Sequence, residues 1–299
     1  MNGAYHSVGE VLLSVLGSGA RIVGSDPVSG GDINRAYRLT LADGMRVFLK
    51  TNAGKDVSFF EAEAGGLTAI AGSGSIGVPR VLGLGTDADH GAFLLLEWID
   101  SAKPAGDFWE NFGRRLAALH RAETADLTPG GRFGFTAGNY IGASPQANMP
   151  CERWVDFFRE RRLAPQFKMA ARWFDAADRR RIDRLMERLG DTLEEPERPS
   201  LLHGDLWSGN FIVGPDGEAW LIDPASYVGH AEADLAMTEL FGGFGSAFYS
   251  AYRESAHIRP GYERRRGLYN LYHMLNHLNL FGASYLGGVR SAIRIYGEK

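Results

Sequence analysis

Val8, Val11, Leu12 and Val15 recur at helical spacing, and Gly17-Ser18-Gly19 closes the run, so the chain is expected to open on an amphipathic helix. Strand-like segments follow at 21–28, 35–41 and 45–51, separated by the turn formers Ser29-Gly30-Gly31-Asp32 and Ala42-Asp43-Gly44. A helical segment over 56–71 and strands near 80–85 and 92–98 complete a region that reads as antiparallel sheet with one inserted helix. After Asp100-Ser101-Ala102-Lys103-Pro104 the pattern becomes helical, with segments at 106–122, 151–171, 175–189, 232–240, 246–256 and 262–283. The change falls in a polar stretch, where a hinge between lobes belongs. The spacing therefore predicts an α+β fold of two lobes, a β-rich N-terminal lobe over 1–99 and a mainly helical C-terminal lobe over 100–299. A cleft between two such lobes is a natural nucleotide site.

Composition narrows the possibilities. With 299 residues, 44% hydrophobic and 11% aromatic, the chain can bury a sizeable core. A net charge of −4 argues against an electrostatic nucleic-acid binder. The single cysteine, Cys151, rules out an intrachain disulfide and disfavours a cysteine-based zinc site. No apolar run reaches the length of a membrane span, and the N-terminal stretch with Tyr5, His6 and Glu10 lacks the layout of a signal peptide. The expectation is a soluble cytoplasmic protein with neither nucleic acid nor membrane as partner. Oligomeric state leaves no signal in the pattern.

The chemistry concentrates in residues 203–223. His203-Gly204-Asp205-Leu206-Trp207-Ser208-Gly209-Asn210 runs into Phe211-Ile212-Val213, a Gly214-Pro215-Asp216-Gly217 turn, and a second apolar strand ending at Asp223. An Asp, an Asn five positions on and an Asp thirteen further form the pattern of a kinase catalytic loop with its metal-binding strand. Phosphoryl transfer spreads negative charge over the transferred group, so the protein mainly positions groups and neutralises charge. Mg²⁺ takes hard oxygen ligands, which Asn210 and Asp223 can supply. Asp205 is then left to accept the proton of the substrate hydroxyl. A mere turn followed by a buried strand would not require this agreement of residue type, order and spacing.

Other residues complete a nucleotide site. Lys50 ends the strand Arg46-Val47-Phe48-Leu49-Lys50 and matches the lysine that contacts ATP phosphates in kinases. Its partner would be a Glu on the following helix. Glu61 and Glu63 are both available, and Glu63, which shares a face with Phe59, Phe60 and Leu67, is the better inward-facing choice. Gly30, Gly31 and Asp32 lie between the first two strands, where glycines let backbone amides approach phosphates. Phe93-Leu94-Leu95-Leu96-Glu97-Trp98-Ile99 ends at the lobe junction, and the backbone groups of Glu97 and Ile99 are candidates for adenine.

These residues resemble the fructosamine (ketosamine) 3-kinases, relatives of the aminoglycoside and choline phosphotransferases. The likeness runs nearly end to end, through Gly30-Gly31-Asp32-Ile33-Asn34, Val47-Phe48-Leu49-Lys50, Gly77-Val78-Pro79, Leu116-Ala117-Ala118-Leu119-His120 and Phe133-Gly134-Phe135. Its most specific parts are Asn139-Tyr140-Ile141-Gly142, Pro145-Gln146-Ala147-Asn148, Trp154-Val155-Asp156-Phe157-Phe158 with Arg162-Leu163, residues 203–210, and Gly229-His230 with Glu232 through Met237. The resemblance implies a protein-kinase-like two-lobe fold, ATP and Mg²⁺ as cofactors, and phosphorylation of the 3-hydroxyl of a ketosamine. The acceptor would be a small fructosamine or ribulosamine, or a glycated protein lysine, and the phosphorylated adduct would then break down and free the amine. On this chain it assigns Asp205 as base, Asn210 and Asp223 to the metal, Lys50 with Glu63 to the phosphates, and Trp207 and His277 to the sugar pocket. An aromatic face suits the C–H surface of a sugar and an imidazole suits its hydroxyls.

Asp234 and His203 are expected to brace the loop rather than act in chemistry. Asp223-Pro224-Ala225 stands where protein kinases carry Asp-Phe-Gly, which points to small-molecule acceptors. Ala231 stands where the family pattern leads one to expect Arg, and Ala137-Gly138-Asn139 also departs from it. Some relatives carry a Cys in the glycine loop, where this chain has Asp32 or Ile33, so a redox switch in that loop is not expected. The alternative reading is a kinase of the same fold acting on an aminoglycoside, choline or another amino alcohol.

Overall fold

Period-two alternation in Arg35–Leu41 and Arg46–Asn52 sends Leu39, Leu41, Val47 and Leu49 to one face, and Lys50, one step out of phase, to the other. The computed structural model describes residues 5–29, 33–89 and 91–298. The chain falls into two compact units, Met1–Phe108 with Ile212–Pro224 and Trp109–Phe211 with Ala225–Lys299.

In the first unit, helix α1 (Val8–Leu16) starts under Ser7, whose hydroxyl accepts from Glu10 N at 3.1 Å, and stops at Gly17 with φ 87°. Strands β1 (Ile22–Pro27), β2 (Arg35–Leu41), β3 (Arg46–Asn52), β4 (Val81–Asp87) and β5 (Gly91–Glu97) pair antiparallel in the order β1-β2-β3-β5-β4. Val8, Val11 and Leu12 of α1 pack on Leu39, Val47, Leu49, Leu82, Phe93 and Leu95 of the sheet. Helix α2 (Ser58–Gly72) lies between β3 and β4 in the chain and buries Phe59, Phe60, Ala64, Leu67 and Ile70. The outer edge of β4 is covered by Tyr5, which bridges to Gly85 so closely that a Cβ there would fall 1.9 Å from the Tyr5 oxygen.

This unit runs on to Phe108 and takes in Ile212–Pro224, which holds all but the first residue of the later hairpin of Phe211–Val213 and Ala219–Leu221. Hydrogen bonds give the reason. Leu221 N donates to Gly77 O at 2.8 Å, Ala102 N to Val213 O at 3.1 Å and Ala105 N to Gly217 O at 3.0 Å.

The second unit holds α3 (Phe108–Leu119), α4 (Trp154–Phe157), α5 (Ala164–Met169), α6 (Ala176–Glu187), α7 (Ala231–Leu240), α8 (Ser246–Ser255), α9 (Tyr262–Phe281) and α10 (Leu286–Gly297). Helix α9 runs against α5, α7 and α10 and buries eleven of its twenty residues. The continuous helix expected over 151–171 is instead broken by a π-helical turn at Phe158–Leu163. Pro165 explains part of this. It has no N–H to give the carbonyl of Arg161, and that oxygen accepts from Arg162 Nη1 at 3.0 Å instead. Helix α10 has no counterpart among the expected elements, because Gly287-Gly288 reads as a breaker, although Val289, Ala292 and Ile293 bury one face.

A short ribbon, Asn139–Ile141 with Ser144–Gln146, carries a buried polar network. Asn139 Oδ1 accepts from Gln146 Nε2 at 2.7 Å and Asn148 Nδ2 at 2.8 Å, while Asn139 Nδ2 donates to Ser226 O at 2.7 Å. Gln146 Nε2 also reaches Ala225 O at 3.1 Å, and Gln146 Oε1 accepts from Tyr272 at 2.6 Å. Arg162, fully buried, donates to Asn148 Oδ1 and Ala147 O, both at 2.7 Å, and lies 3.9 Å over the Tyr227 ring. The network thus fixes the backbone at Ala225 and Ser226. Asn139→Ala leaves two buried donors and one carbonyl without their partners, so it should cost about 3 kcal/mol or more in urea unfolding. A loss below about 1 kcal/mol would show that the network is dispensable.

Candidate active site

In the first unit, Lys50 sits opposite Ala36 and Leu94 in the middle of the sheet, its side chain only 7% exposed. An ammonium withdrawn from water needs an answering charge. Glu63 Oε1 accepts from Lys50 Nζ at 2.7 Å, and Asp223 Oδ1 accepts from the same nitrogen. The structure pairs Glu63, not the exposed Glu61, with the lysine. Burial works against the charge on Lys50, but Asp223 and Glu63 outweigh it and hold the pKa above its ordinary 10.5. Burial raises the Glu63 pKa, and Lys50 opposes that rise.

Asp223 follows the strand Ala219–Leu221 with φ 55°, the one non-glycine residue at positive φ among the described residues. Asp tolerates the left-handed region better than most residues, yet the conformation is uncommon and tends to mark functional positions. Its side chain is 43% exposed, so the carboxylate faces solvent while it holds Lys50.

In the second unit, the loop 203–210 is pinned at its start. Asp234, buried near the start of α7, accepts from His203 N at 2.7 Å and Gly204 N at 2.8 Å. His120 Nε2–H donates to the same carboxylate at 3.2 Å, and Tyr252 donates its hydroxyl to His120 Nδ1 at 2.7 Å. Burial would raise the Asp234 pKa, but these hydrogen bonds overcome it and hold the acid below its ordinary range. Asp234 and His203 are loop braces, as their sequence context suggested; His203 Nδ1 accepts from Asp205 N at 3.2 Å. Gly204, at φ 85°, lets the chain pass Ala225, whose oxygen would lie 2.1 Å from a Cβ.

Asp205 is held at two points by one neighbour. Asn210 Nδ2 donates to the Asp205 main-chain oxygen at 2.8 Å and to its carboxylate Oδ2 at 3.3 Å. The amide nitrogen is thereby committed and the amide oxygen remains as the acceptor. Trp207, 39% exposed, folds its ring back over Gly209, where a Cβ would meet the indole at 2.3 Å. His277 lies on α9, and its Nδ1 bonds His273 O at 2.8 Å, so Nδ1 carries the proton and Nε2 keeps its lone pair. Burial lowers the His277 pKa and keeps the ring neutral.

The remaining candidates are less engaged. Glu97 closes β5 with its N–H bonded to Arg80 O at 2.9 Å, and Ile99 lies just beyond the strand. Gly30, Gly31 and Asp32 lie outside the described residues. Two participants escaped the sequence reading. His120 stood among the segments that carry the family resemblance but was given no role, and Tyr252 sits in a helix with no motif around it. A carboxamide oxygen and a solvent-facing carboxylate are hard donors suited to Mg²⁺. Among the described residues no three His, Cys, Asp or Glu side chains cluster as a metal site, and a Mg²⁺ held largely by phosphate oxygens and water needs no such cluster.

The β-rich and helical regions have the protein-kinase-like fold of aminoglycoside phosphotransferases of known structure, with a TM-score of 0.60 at 16% identity to one of them. A model of the fructosamine kinase family matches residues 4–297, and the chain belongs to that family. It is 42% identical over 286 residues to a ketoamine kinase candidate of Synechocystis, covering 94% of this chain and 92% of the relative. It is 39% identical over 282 residues to the chloroplastic protein-ribulosamine 3-kinase of Oryza sativa subsp. indica, covering 94% of this chain and 80% of the relative. A crystal structure of a fructosamine-3-kinase candidate from Thermobifida fusca superposes with a TM-score of 0.84 at 32% identity, covering 99% of this chain and 100% of that one. The protein is an ATP-dependent kinase of this family.

Lys50→Met should lower phosphoryl transfer about a hundredfold or more, because one preorganised positive charge is lost. The same variant tests the ion pair. A lysine whose folded pKa exceeds 10.5 contributes stability that is full below that pH and is lost as pH rises past it. Urea midpoints measured at about pH 9 and about pH 11 should therefore fall further in the wild type than in Lys50→Met. Equal falls would mean that the pair does not stabilise the charged lysine.

Proposed function

We propose that the protein transfers the γ-phosphoryl group of Mg·ATP to the 3-hydroxyl of a ketosamine. The observation that carries this reading is the loop 203–210, where Asn210 fixes Asp205 and an exposed Trp207 stands two residues away. Asp205 accepts the proton of the hydroxyl as its oxygen attacks phosphorus, and the bond from phosphorus to the β-phosphate oxygen breaks, releasing ADP. Lys50, oriented by Glu63, neutralises α/β-phosphate charge. Asn210 and Asp223 would be the residues to hold Mg²⁺ through their side-chain oxygens. When bound, Mg²⁺ offsets the negative charge of the phosphates. In this reading the 1–99 lobe, with Gly30, Gly31, Asp32, Glu97 and Ile99, serves the nucleotide, and the 100–299 lobe serves catalysis and acceptor.

Trp207 offers an aromatic face to the C–H surface of the ketose, and His277 Nε2 accepts from one of its hydroxyls. The name of the rice relative supports ribulosamines, including protein-bound ones, as members of the acceptor class. The phosphorylated adduct then decomposes and frees the amine, a deglycation. No described helix is long and apolar enough to cross a membrane, and ATP dependence suits a cytoplasmic setting.

Incubation with Mg·ATP and a panel of ribulose-lysine, fructose-lysine, an aminoglycoside and choline should yield a 3-phosphate of the ketosamines alone. Asp205→Ala should reduce that rate by about a thousandfold or more while leaving nucleotide binding intact. Full activity in Asp205→Ala would overturn the mechanism, and phosphorylation of the aminoglycoside or choline alone would overturn the substrate class.

A further inference from the structure

Five aromatic side chains form an unbroken strip that leaves the catalytic loop at Trp207. The Trp207 ring meets Phe241 at 6.4 Å, Phe241 meets His277 at 5.0 Å, and His277 meets Phe281 at 5.5 Å and Tyr285 at 5.0 Å. The strip is not a core. Phe241 is 43% and Phe281 50% exposed, unusual for large apolar side chains beside an active loop.

The backbone beneath the strip has its own electrostatics. Phe241 caps the C-terminal end of α7, Phe281 ends α9, and His277 lies one turn earlier on it. Helix C-termini carry partial negative charge and usually attract a Lys or Arg, yet neither helix has a basic residue in its last turn. His277 is neutral, so it supplies no charge either. Two helix ends that lack a cation therefore underlie a strip of π faces that also attract cations.

We propose that Phe241, Phe281 and Tyr285 continue the sugar-facing Trp207 and His277 into a subsite for the alkylammonium arm of the acceptor. This rests on the ketosamine reading above and deepens it. A ketosamine differs from a free ketose by a secondary amine at C1, protonated at neutral pH, with an aliphatic chain beyond. The ammonium suits the ring faces and the two helix ends, and the chain suits the exposed phenyl groups. The subsite selects adducts of alkylamines, such as the lysine ε-amine, over neutral sugars.

The test compares ribulose-lysine with its analogue N-acetylated on the linking nitrogen, which keeps sugar and chain but loses the charge. The wild type should show a much lower KM for the charged substrate. Phe241→Ala and Phe281→Ala should raise that KM about tenfold with kcat unchanged, and leave the KM of the acetylated analogue nearly unaltered. Phe281→Leu, which keeps apolar bulk and guards against misfolding, should behave as Phe281→Ala does. Equal KM changes for both substrates, or no change for either, would overturn the subsite while leaving the ketosamine reading intact. A wild type that phosphorylates neither substrate would overturn both.

Discussion

A charge withdrawn from water must be answered by protein groups, and the first unit is arranged around one such charge. Lys50 is set in the sheet by a period-two pattern that otherwise delivers apolar side chains, so its ammonium arrives where ions are disfavoured. Glu63 answers it from α2 and Asp223 from the end of a hairpin more than 170 residues further along. The hairpin belongs to the first unit because of backbone bonds to Gly77 and residues 102–105, and those bonds keep Asp223 within reach of the lysine. Both carboxylates carry the unfavourable part of this arrangement: Glu63 sits where its own ionisation is opposed, and Asp223 adopts a left-handed backbone.

The second unit solves the same problem for an anion and for a second cation. Asp234 is buried and is answered by two loop N–H groups and His120, so holding that charge and holding the loop are one act. Arg162 is answered by carbonyls, the Asn148 carboxamide and aromatic faces, and Asn148 in turn donates to Asn139, which with Gln146 reaches Ser226 and Ala225. The segment 139–163 thus has a physical task distinct from contact with substrate. It sets the course of the chain that leaves Asp223.

Sequence made the sheet, the loop 203–210 and most helices legible, since each is written locally: strand-like segments and turn formers for β2 and β3, helical spacing for α1, and type and spacing for Asp205, Asn210 and Asp223. Four features were less legible. The π-helical turn depends on a proline that removes one donor and on an arginine that replaces it, a trade hidden from periodicity. Helix α10 begins on two glycines, and only its packing against α6 and α9 justifies it. The His120–Tyr252 support and the Trp207–Phe241–His277 part of the aromatic strip join residues more than 30 positions apart whose individual types are unremarkable in their own segments. Glu63 was a choice between two neighbours that helix phase decided correctly in geometry.

The handedness of the backbone at Asp223 reaches beyond the single molecule. A position at φ 55° accepts Asn, Asp and Gly far more readily than other residues. Asn and Gly are each one nucleotide away from an Asp codon. The mutations that arise there most easily without straining the backbone are therefore those that delete the carboxylate and leave Glu63 alone to answer Lys50. On the reading proposed above, natural variation at this site can remove a metal-binding carboxylate in one step without straining the turn.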